Sequence, residues 1–202
     1  ELQRLIGMTD VKREMVNQII FFLQGFNQKE RCNSCINCLA TVSSSCTNLE
    51  NNEMLHTVIT GPPGVGKTQL GLILGKVYKE MEVLTKGHVI TAKRSDLIAG
   101  YLGQTVKATQ KIIDKAKGGV LFIDEAYSLG NPEGKDSFSK ECLDTINQNL
   151  SEKRDFLCII AGYEESLDTC FFNYNPGLKR RFTFRYNISG YSPEELCEIF
   201  VS

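Results

Sequence analysis

The chain has 202 residues, of which 42% are apolar, so it is long enough to bury one substantial core. Its formal net charge of −1 excludes the global positive field that attracts nucleic acid. The longest apolar run near the start, Ile19–Leu23, is far shorter than a membrane span, and nothing before it resembles a signal peptide. We therefore expect a soluble intracellular protein, most simply cytoplasmic, with no membrane partner.

The first predicted element is a helix followed by a polar insertion. Apolar residues recur at helical spacing through residues 1–26, and Thr9 or Asp10 is suited to cap the start of this helix. Residues 27–53 are rich in Asn, Ser and Cys, which indicates an insertion or a long loop rather than a core element.

Half of the eight cysteines cluster in this insertion, at Cys32, Cys35, Cys38 and Cys46. Four thiolates suit a tetrahedral zinc site, although no second Cys-x-x-Cys pair faces the first. The two-residue intervals are also similar to the start of an iron–sulfur ligand run, but the fourth spacing fits poorly. Free thiols in a polar insertion are the third interpretation, and without a secretory signal a disulfide framework is the least expected use.

From residue 54 to 190 the pattern alternates between strands and helices. β-Branched runs predict strands at 55–60, 88–91, 119–123, 156–161 and 182–188, and helical periodicity lies between them at 67–82, 105–117, 137–150 and 164–172. This order predicts an α/β fold with a five-stranded parallel sheet between helices. Residues 191–202 open with a capping box at Ser192 and Glu195, which predicts the start of a helical lid that is otherwise largely absent.

A phosphate-binding loop follows the first strand of this core. Residues 61–68 read GPPGVGKT, between the strand residues TVIT and a helical run. Glycines let backbone N–H groups turn toward phosphate oxygens, the lysine reaches the β- and γ-phosphates, and the threonine hydroxyl is a Mg²⁺ ligand. The loop predicts binding of ATP and Mg²⁺ by Gly61, Pro62, Pro63, Gly64, Val65, Gly66, Lys67, Thr68 and Gln69.

Two acids follow the apolar strand at 119–123. Asp124 and Glu125 are therefore expected at the carboxyl edge of the sheet, where ligands of open α/β sheets bind. Asp124 would hold Mg²⁺ through water, and Glu125 would orient and polarise the attacking water. Paired acids favour hydrolysis over transfer to another acceptor, because water needs a base.

With these motifs in place, the chain resembles an AAA+ ATPase, and more narrowly the subgroup that contains red-type Rubisco activase and stage V sporulation protein K. The resemblance covers nearly the whole chain except residues 27–53. The motifs that carry it are LIGMTDVK at 5–12, GPPGVGKT at 61–68, KGHVITAKRSDLIAGYLGQT at 86–105, GGVLFIDEAYSL at 118–129, AGYEESLD at 161–168 and NPGLKRRF at 175–182.

The resemblance implies a homo-oligomer, a hexameric ring when the lid is present. In such rings an aromatic-hydrophobic-glycine loop from each subunit lines the central pore and grips a substrate polypeptide. Tyr101, Leu102 and Gly103 match that loop. The alternative from the sequence alone is a Tyr-Leu pair folded back onto the core.

The resemblance also implies an arginine that enters the site of the adjacent subunit. Arg181 is the first candidate for this role and Arg180 the second. Ile6 and Gly7 are expected near the adenine.

The sensor position of the resemblance is occupied differently here. Where many AAA+ proteins carry a polar residue that positions water, this chain has Tyr163. Its hydroxyl, or instead Glu164 or Thr60, would take that role, and a buried structural tyrosine is the alternative.

The predicted function is therefore an ATP-hydrolysing, ring-forming motor that remodels a protein substrate. A nucleic-acid-linked AAA+ motor or clamp loader is the second hypothesis, since Lys93 and Arg94 lie close to Tyr101 in the sequence. A nucleotide-gated scaffold that binds ATP without cycling is the third, and the intact Asp124–Glu125 pair disfavours it.

Overall fold

The chain forms two compact units, one of residues Thr9–Glu53 and the other of Glu1–Met8 with Met54–Ser202. The computed structural model describes residues 6–27, 56–101, 103–130, 136–152 and 155–201. The cysteine cluster at Cys32, Cys35, Cys38 and Cys46, with its candidate zinc site, lies outside these residues, so it stays a prediction. None of the described helices is long and apolar enough to cross a membrane.

The described part of the smaller unit is a single helix. Helix α1 spans Thr9–Asn27, and an exposed ion pair of 2.8 Å joins Asp10 to Arg13 in its first turns. An acidic side chain in the first turn is favourable there because it faces the positive end of the helix dipole.

A five-stranded parallel sheet forms the centre of the larger unit. Its strand order is β2-β3-β4-β1-β5, and the strands are β1 Thr57–Thr60, β2 Val89–Ala92, β3 Val120–Ile123, β4 Leu157–Gly162 and β5 Phe184–Asn187. The predicted α/β class and the predicted five-stranded parallel sheet are confirmed. The central strands β1, β3 and β4 are buried throughout, as expected for a parallel sheet covered on both faces.

Helices cover the sheet, and alternate strand residues face different helices. Leu121 and Ile123 belong to one core cluster with side chains of α4 (Gln104–Lys115) and α5 (Ser137–Glu152). Phe122, between them in the strand, faces α2 (Lys67–Glu80), where a Cβ added to Gly71 would lie only 2.5 Å from its ring. Gly71 therefore lets α2 lie close to the sheet.

Shorter helices lie between these elements or follow the last strand. They are α3 (Arg94–Leu97), α6 (Glu164–Ser166), α7 (Pro176–Arg181) and α8 (Pro193–Val201), with a 3₁₀ turn at Ala126–Leu129. The run predicted as one helix at 164–172 is α6 followed by a π-helix over Leu167–Phe172. This wider turn accompanies the burial of two consecutive rings, Phe171 and Phe172, which both pack edge-on against Phe182.

The register of the sheet positions the site. Thr60, the last residue of β1, lies opposite Gly162, the last residue of β4. On the other side of β4, Ile123 at the end of β3 lies opposite Ile160. The loops that follow β1, β3 and β4 therefore leave the same edge of the sheet, where predicted site residues follow each strand.

Candidate nucleotide-binding site

The phosphate-binding loop follows β1 and turns into α2. Gly64 (φ 78°) and Gly66 (φ 87°) have left-handed backbone conformations, which glycine adopts at little cost. Gly66 immediately precedes the first residue of α2, so the N-terminus of this helix closes the loop. Backbone N–H groups of a loop in this conformation, together with the positive end of a helix, bind anions.

Lys67 lies across the mouth of the loop. Its amino group donates hydrogen bonds to the backbone carbonyls of Gly61 (2.9 Å) and Pro62 (2.8 Å). Burial lowers the pKa of Lys67, while the carboxylates of Asp124 and Glu125 act in the opposite direction. The lysine thus lies between the loop and the two acids, with a charge that a phosphate would neutralise.

The predicted phosphate-binding and acidic residues line one cleft of about 480 Å³. Of the predicted residues, those in its wall are Pro63, Gly64, Gly66, Lys67, Thr68, Gln69, Asp124 and Glu125. Tyr163, the residue at the sensor position, is also in this wall, and the structure adds Tyr127 and Gly162. Sequence motifs separated by more than fifty residues therefore meet in one place.

The two acids leave β3 with different backbone conformations. Asp124 continues the sheet, since its N–H donates to the carbonyl of Ala92, and its own carboxylate accepts the N–H of Glu125 at 3.0 Å. Glu125 has a left-handed conformation (φ 51°), which is uncommon for a residue with a side chain. The chain turns at Glu125 into the 3₁₀ turn that follows, and both acids line the cleft.

Magnesium is the metal implied by the fold family, and the donor set suits it. The Thr68 hydroxyl and the Asp124 carboxylate line the same cleft, and both present oxygen, the ligand atom that Mg²⁺ prefers. Mg²⁺ commonly keeps several waters and binds phosphate oxygens, so one or two protein ligands are sufficient to hold it.

Tyr127 and Tyr163 form an aromatic pair beside these acids. Their ring centroids are 5.7 Å apart, and the Lys67 ammonium lies 5.7 Å from the centroid of Tyr163. Burial first, and the negative charge of Glu125 second, raise the pKa of Tyr127. Sequence reasoning considered Tyr163 but missed Tyr127, for which the only signal was its place two residues after Glu125.

Gly7, one of the two residues predicted near adenine, lies beside the loop. The Tyr191 hydroxyl donates a 2.9 Å hydrogen bond to the carbonyl of Val65, and its ring lies 3.2 Å from where Gly7 would carry a Cβ. The terminal methyl group of Met8 lies 3.3 Å from where Gly66 would carry a Cβ. Gly7, Met8 and Tyr191 therefore lie together at the phosphate-binding loop, and no sequence motif indicated that Tyr191 belongs there.

The two candidate arginines end α7 and do not belong to the cleft wall described above. Arg181 donates to the carbonyl of Gly177 and to the hydroxyl of Ser151, and its Nε is buried without a hydrogen-bond partner among the described residues. Arg180 is exposed. In this conformation neither guanidinium reaches the site of its own subunit, and Arg181 is held within its own chain.

The loop that contains Tyr101 is attached at both of its ends. The buried hydroxyl of Thr105 accepts the N–H of Ala99 (3.3 Å), and the buried hydroxyl of Thr109 donates to the carbonyl of Leu97 (2.9 Å). Tyr101 itself is 74% exposed. Its predicted neighbour Leu102 lies outside the described residues.

Among the described residues, no packing neighbour constrains Gly100 or Gly103. A Cβ placed on Gly100 or Gly103 would meet nothing within 4 Å among the described residues. Tyr101 is exposed on this loop. For Tyr101, this exposure excludes the alternative in which the Tyr-Leu pair folds back onto the core.

Arg94 connects the start of this loop segment to the acidic edge. Its guanidinium donates to the carbonyl of Ser128 and the hydroxyl of Ser139, and pairs with Asp136 at 2.6 Å. Ser128 lies in the 3₁₀ turn that follows Glu125, and α3 leads directly into the Tyr101 loop. One side chain thus joins the loop segment to the segment that contains the acids.

Comparison with known proteins agrees with this geometry. The sequence profile described as "ATPase family associated with various cellular activities (AAA)" matches residues 57–189. The putative cfxQ-like protein R730 of Acanthamoeba polyphaga mimivirus is 45% identical over 99% of this chain and 44% of its own length. Stage V sporulation protein K of Bacillus subtilis (strain 168) is 37% identical over 98% of this chain and 57% of its own length.

A solved structure shows the same fold at low identity. The structure titled "Structure of E. coli MS115-1 HORMA:CdnC:Trip13 complex" contains a chain that superposes with a TM-score of 0.62 and 15% identity, covering 96% of this chain and 66% of that one. The chain spans about half the length of the two relatives named above. The subgroup predicted from the motifs is confirmed by these relatives.

Proposed function

Because the chain belongs to the AAA family of ATPases, we propose that it hydrolyses ATP in this cleft and acts as a ring-forming motor that remodels a protein substrate. The observation that carries the motor function is Tyr101, an exposed aromatic side chain on a loop whose base is held by buried threonines. The Tyr101 side chain is therefore available to contact a partner protein. The base of its loop is hydrogen-bonded to Leu97, the last residue of α3, so a displacement of α3 would also displace the loop.

In the proposed reaction a water molecule attacks the γ-phosphorus of ATP. The bond from this phosphorus to the β–γ bridging oxygen breaks, the proton of the water passes to Glu125, and ADP and inorganic phosphate are the products. Lys67 exchanges its loop carbonyls for phosphate oxygens and stabilises their charge. Bound through Thr68 and Asp124, Mg²⁺ would supply positive charge at the β- and γ-phosphate oxygens.

The site is proposed to be completed by a second subunit. Neither Arg180 nor Arg181 belongs to the cleft of its own chain, so either would act in a neighbour's cleft. An arginine supplied in this way is worth roughly 10³ to 10⁵ in rate. Arg181 would first have to leave the Gly177 carbonyl and the Ser151 hydroxyl, whereas Arg180 is already exposed. We keep both as candidates.

Hydrolysis and loop movement would be coupled through Arg94. Departure of the γ-phosphate changes the charge beside Glu125, and the turn that follows Glu125 is hydrogen-bonded to Arg94 at Ser128. A displacement of that turn would therefore move α3 and the loop that contains Tyr101.

The same contacts disfavour the nucleic-acid hypothesis. Arg94 is bound to Asp136, Ser128 and Ser139, so it is not available as a phosphate contact.

The scaffold hypothesis predicts binding without turnover. Glu125→Gln separates the two, because a hydrolase should lose turnover and keep nucleotide binding, while persistent turnover would show that Glu125 is not the base.

The first experiment is steady-state ATP hydrolysis as a function of protein concentration. An assembling ATPase gains specific activity as concentration rises and loses it in Arg181→Ala or Arg180→Ala, whichever is the trans-acting residue. Mixing that arginine variant with Glu125→Gln should restore part of the activity, since a subunit with an intact base then meets a neighbour with an intact arginine. Activity that is independent of concentration and unaffected by both arginine variants would instead indicate a self-contained ATPase.

The role of Tyr101 needs a protein substrate. Stimulation of hydrolysis by an unfolded protein such as casein should be lost in Tyr101→Ala and retained in Tyr101→Phe, because gripping requires a bulky ring. Equal stimulation of all three proteins would rule out this loop as the substrate contact.

A further inference from the structure

We propose that Ser151 is a positioning residue for Arg181, which it holds at the end of α7 until phosphate oxygens of a nucleotide on a neighbouring subunit take over the hydrogen bond. The inference rests on the proposed function, because it takes Arg181 rather than Arg180 as the residue that completes the neighbour's site. It assigns to a serine of α5, outside every sequence motif of the site, control over how readily two subunits complete one site.

Both terminal nitrogens of Arg181 donate to neutral oxygens of its own chain. Nη1 donates to the carbonyl of Gly177 at 2.7 Å, and Nη2 donates to the hydroxyl of Ser151. These two nitrogens are the fork through which a guanidinium binds a phosphate or carboxylate. No ion pair of Arg181 occurs among the described residues. Because an ionised oxygen binds a guanidinium more strongly than a neutral one does, a phosphate can replace both contacts.

The Ser151 hydroxyl is oriented by α5. It donates a 2.7 Å hydrogen bond to the carbonyl of Asn147, one turn earlier in the helix. Since its proton is engaged there, its lone pairs remain for the guanidinium of Arg181. Ser151 therefore presents a fixed acceptor at the C-terminal end of α5, which finishes at Glu152.

The base of α7 is fixed, so the movable part of this element is the Arg181 side chain. Asn175 caps the helix by accepting the N–H of Gly177 at 2.8 Å, and Leu178 and Phe182 are buried. A Cβ added to Gly177 would lie 3.0 Å from Nη1 of Arg181 and 2.9 Å from Oδ1 of Asn175. Glycine is a poor helix former, and its place here is explained by the space that the cap and the guanidinium both need.

The held conformation of Arg181 leaves one donor unsatisfied. Its Nε is buried and has no hydrogen-bond partner within the described part of the chain. A buried N–H without an acceptor is unfavourable, and native structures contain few of them. An arginine with only a structural role is expected to pair this donor as well. The held conformation is therefore only modestly favoured, as suits a residue that has to leave it.

A second contact between α5 and the α7 segment offers a matched control. Tyr174, two residues before α7, donates its hydroxyl to the Asp144 carboxylate of α5 at 3.2 Å. This bond attaches the opposite end of α7 to the same helix and does not involve Arg181. Tyr174→Phe thus weakens the attachment of α7 while both guanidinium contacts remain.

Chemical modification tests the Ser151 contact without relying on turnover. Phenylglyoxal is added to the dilute full chain without nucleotide, and its reaction with Arg180 and Arg181 is quantified separately by tandem mass spectrometry of chymotryptic peptides. Arg181 should react more slowly than the exposed Arg180. Ser151→Ala should raise the ratio of the two rates, Arg181 over Arg180, about 5-fold, whereas Ser151→Thr and Tyr174→Phe should stay within about 2-fold of wild type. An unchanged ratio in Ser151→Ala, or an equal rise in Tyr174→Phe, would overturn the inference.

ATP hydrolysis as a function of protein concentration tests the consequence. If a neighbour uses only the released fraction of Arg181, the protein concentration for half-maximal specific activity varies inversely with that fraction. Ser151→Ala should therefore lower this concentration about 5-fold, while kcat at saturating protein concentration changes less than about 2-fold. A purely structural role of Ser151 predicts the opposite, because a loosened α7 would assemble less readily. Ser151→Thr keeps the hydroxyl and should restore the wild-type concentration dependence.

Two kinetic results would overturn the inference while leaving the proposed function intact. One is a half-maximal concentration that is unchanged or raised in Ser151→Ala, although Arg181→Ala abolishes the concentration-dependent activity. The other is loss of that activity in Arg180→Ala but not in Arg181→Ala. Absence of hydrolysis, or wild-type activity that is independent of protein concentration, would instead refute the proposed function, and the modification experiment would still decide the Ser151 contact.

Discussion

Replacement of Asp136 by asparagine tests the contact network that joins the Tyr101 loop segment to the acidic edge. One carboxylate oxygen of Asp136 accepts the backbone N–H groups of Phe138 and Ser139 at the start of α5. The other accepts the Ser139 hydroxyl at 2.7 Å and pairs with Arg94 at 2.6 Å. Asparagine keeps one acceptor oxygen for the helix start but removes the charge that these donors stabilise.

The magnitude follows from the proton affinity of this carboxyl group. The Ser139 hydroxyl first, and Arg94 second, lower the pKa of Asp136 from 3.8 to about 2. At about 1.4 kcal/mol for each tenfold change in proton affinity, and with the side chain 21% exposed, the charge is worth roughly 2 kcal/mol. For a chain of this length that corresponds to a fall in Tm of about 4–8 °C in Asp136→Asn.

The pH dependence has a definite sign. Because the folded-state pKa is depressed, the carboxylate contributes its full stabilisation above the unfolded value of 3.8 and loses it as the pH falls toward about 2. The difference in unfolding free energy between wild type and Asp136→Asn should therefore be constant near neutral pH and shrink across that window.

Urea unfolding at neutral and acidic pH measures both quantities. Asp114→Asn is the matched control, since Asp114 pairs with Lys117 at the surface with both side chains 46% exposed, and such pairs contribute about 0.5 kcal/mol or less. A double-mutant cycle with Arg94→Gln should give a coupling energy of about 1 kcal/mol. Equal unfolding free energies for Asp136→Asn and Asp114→Asn would refute the reasoning.

Three further predictions concern single residues. Tyr191→Phe removes the hydrogen bond to Val65 and should weaken ADP binding about 5-fold by calorimetric titration, given about 1 kcal/mol for such a bond; unchanged affinity would show that this bond does not shape the loop. Gly66→Ala places a side chain at φ 87°, so urea unfolding should show a loss of about 1–2 kcal/mol, and no loss would mean that the loop relaxes. Burial first, and Arg181 second, lower the pKa of His56 from 6.5 to about 4, so the folded state binds fewer protons than the unfolded one and stability falls as pH drops through this range. Wild type should lose about 2 kcal/mol more than His56→Gln between pH 7.5 and 5, and equal losses would contradict this assignment.

Much of the fold could be predicted because the hydrophobic pattern of each strand or helix can be read from its own residues. All five strands occur within one or two residues of their predicted bounds. For the central strands β1, β3 and β4 the reason is burial on both faces, which favours a near-continuous apolar run. The helix predicted at 164–172 shows the limit. A π-helix differs from an α-helix by less than two residues in each turn, too little for a nine-residue pattern to distinguish.

Site residues could be predicted only where a single sequence motif contains all the residues that one chemical role requires. The phosphate-binding loop and the acids that follow β3 can be recognised locally, because their roles depend on backbone conformation and on the end of a strand. Arg94 and Asp136 are 42 residues apart, and Tyr127 meets Gly162 across two strand ends. Such contacts depend on the order of strands in the sheet, which no local pattern specifies.

The attachment of the Tyr101 loop limits how far Tyr101 can move. Ala99 is hydrogen-bonded to Thr105, and α4 already begins at Gln104, so the loop between these anchors is short. A chain extends by at most about 3.5 Å per residue, and Tyr101 is two residues from Ala99, so its Cα lies no farther than about 7 Å from that anchor. If the loop grips a polypeptide as proposed, longer advances in one turnover require displacement of whole subunits.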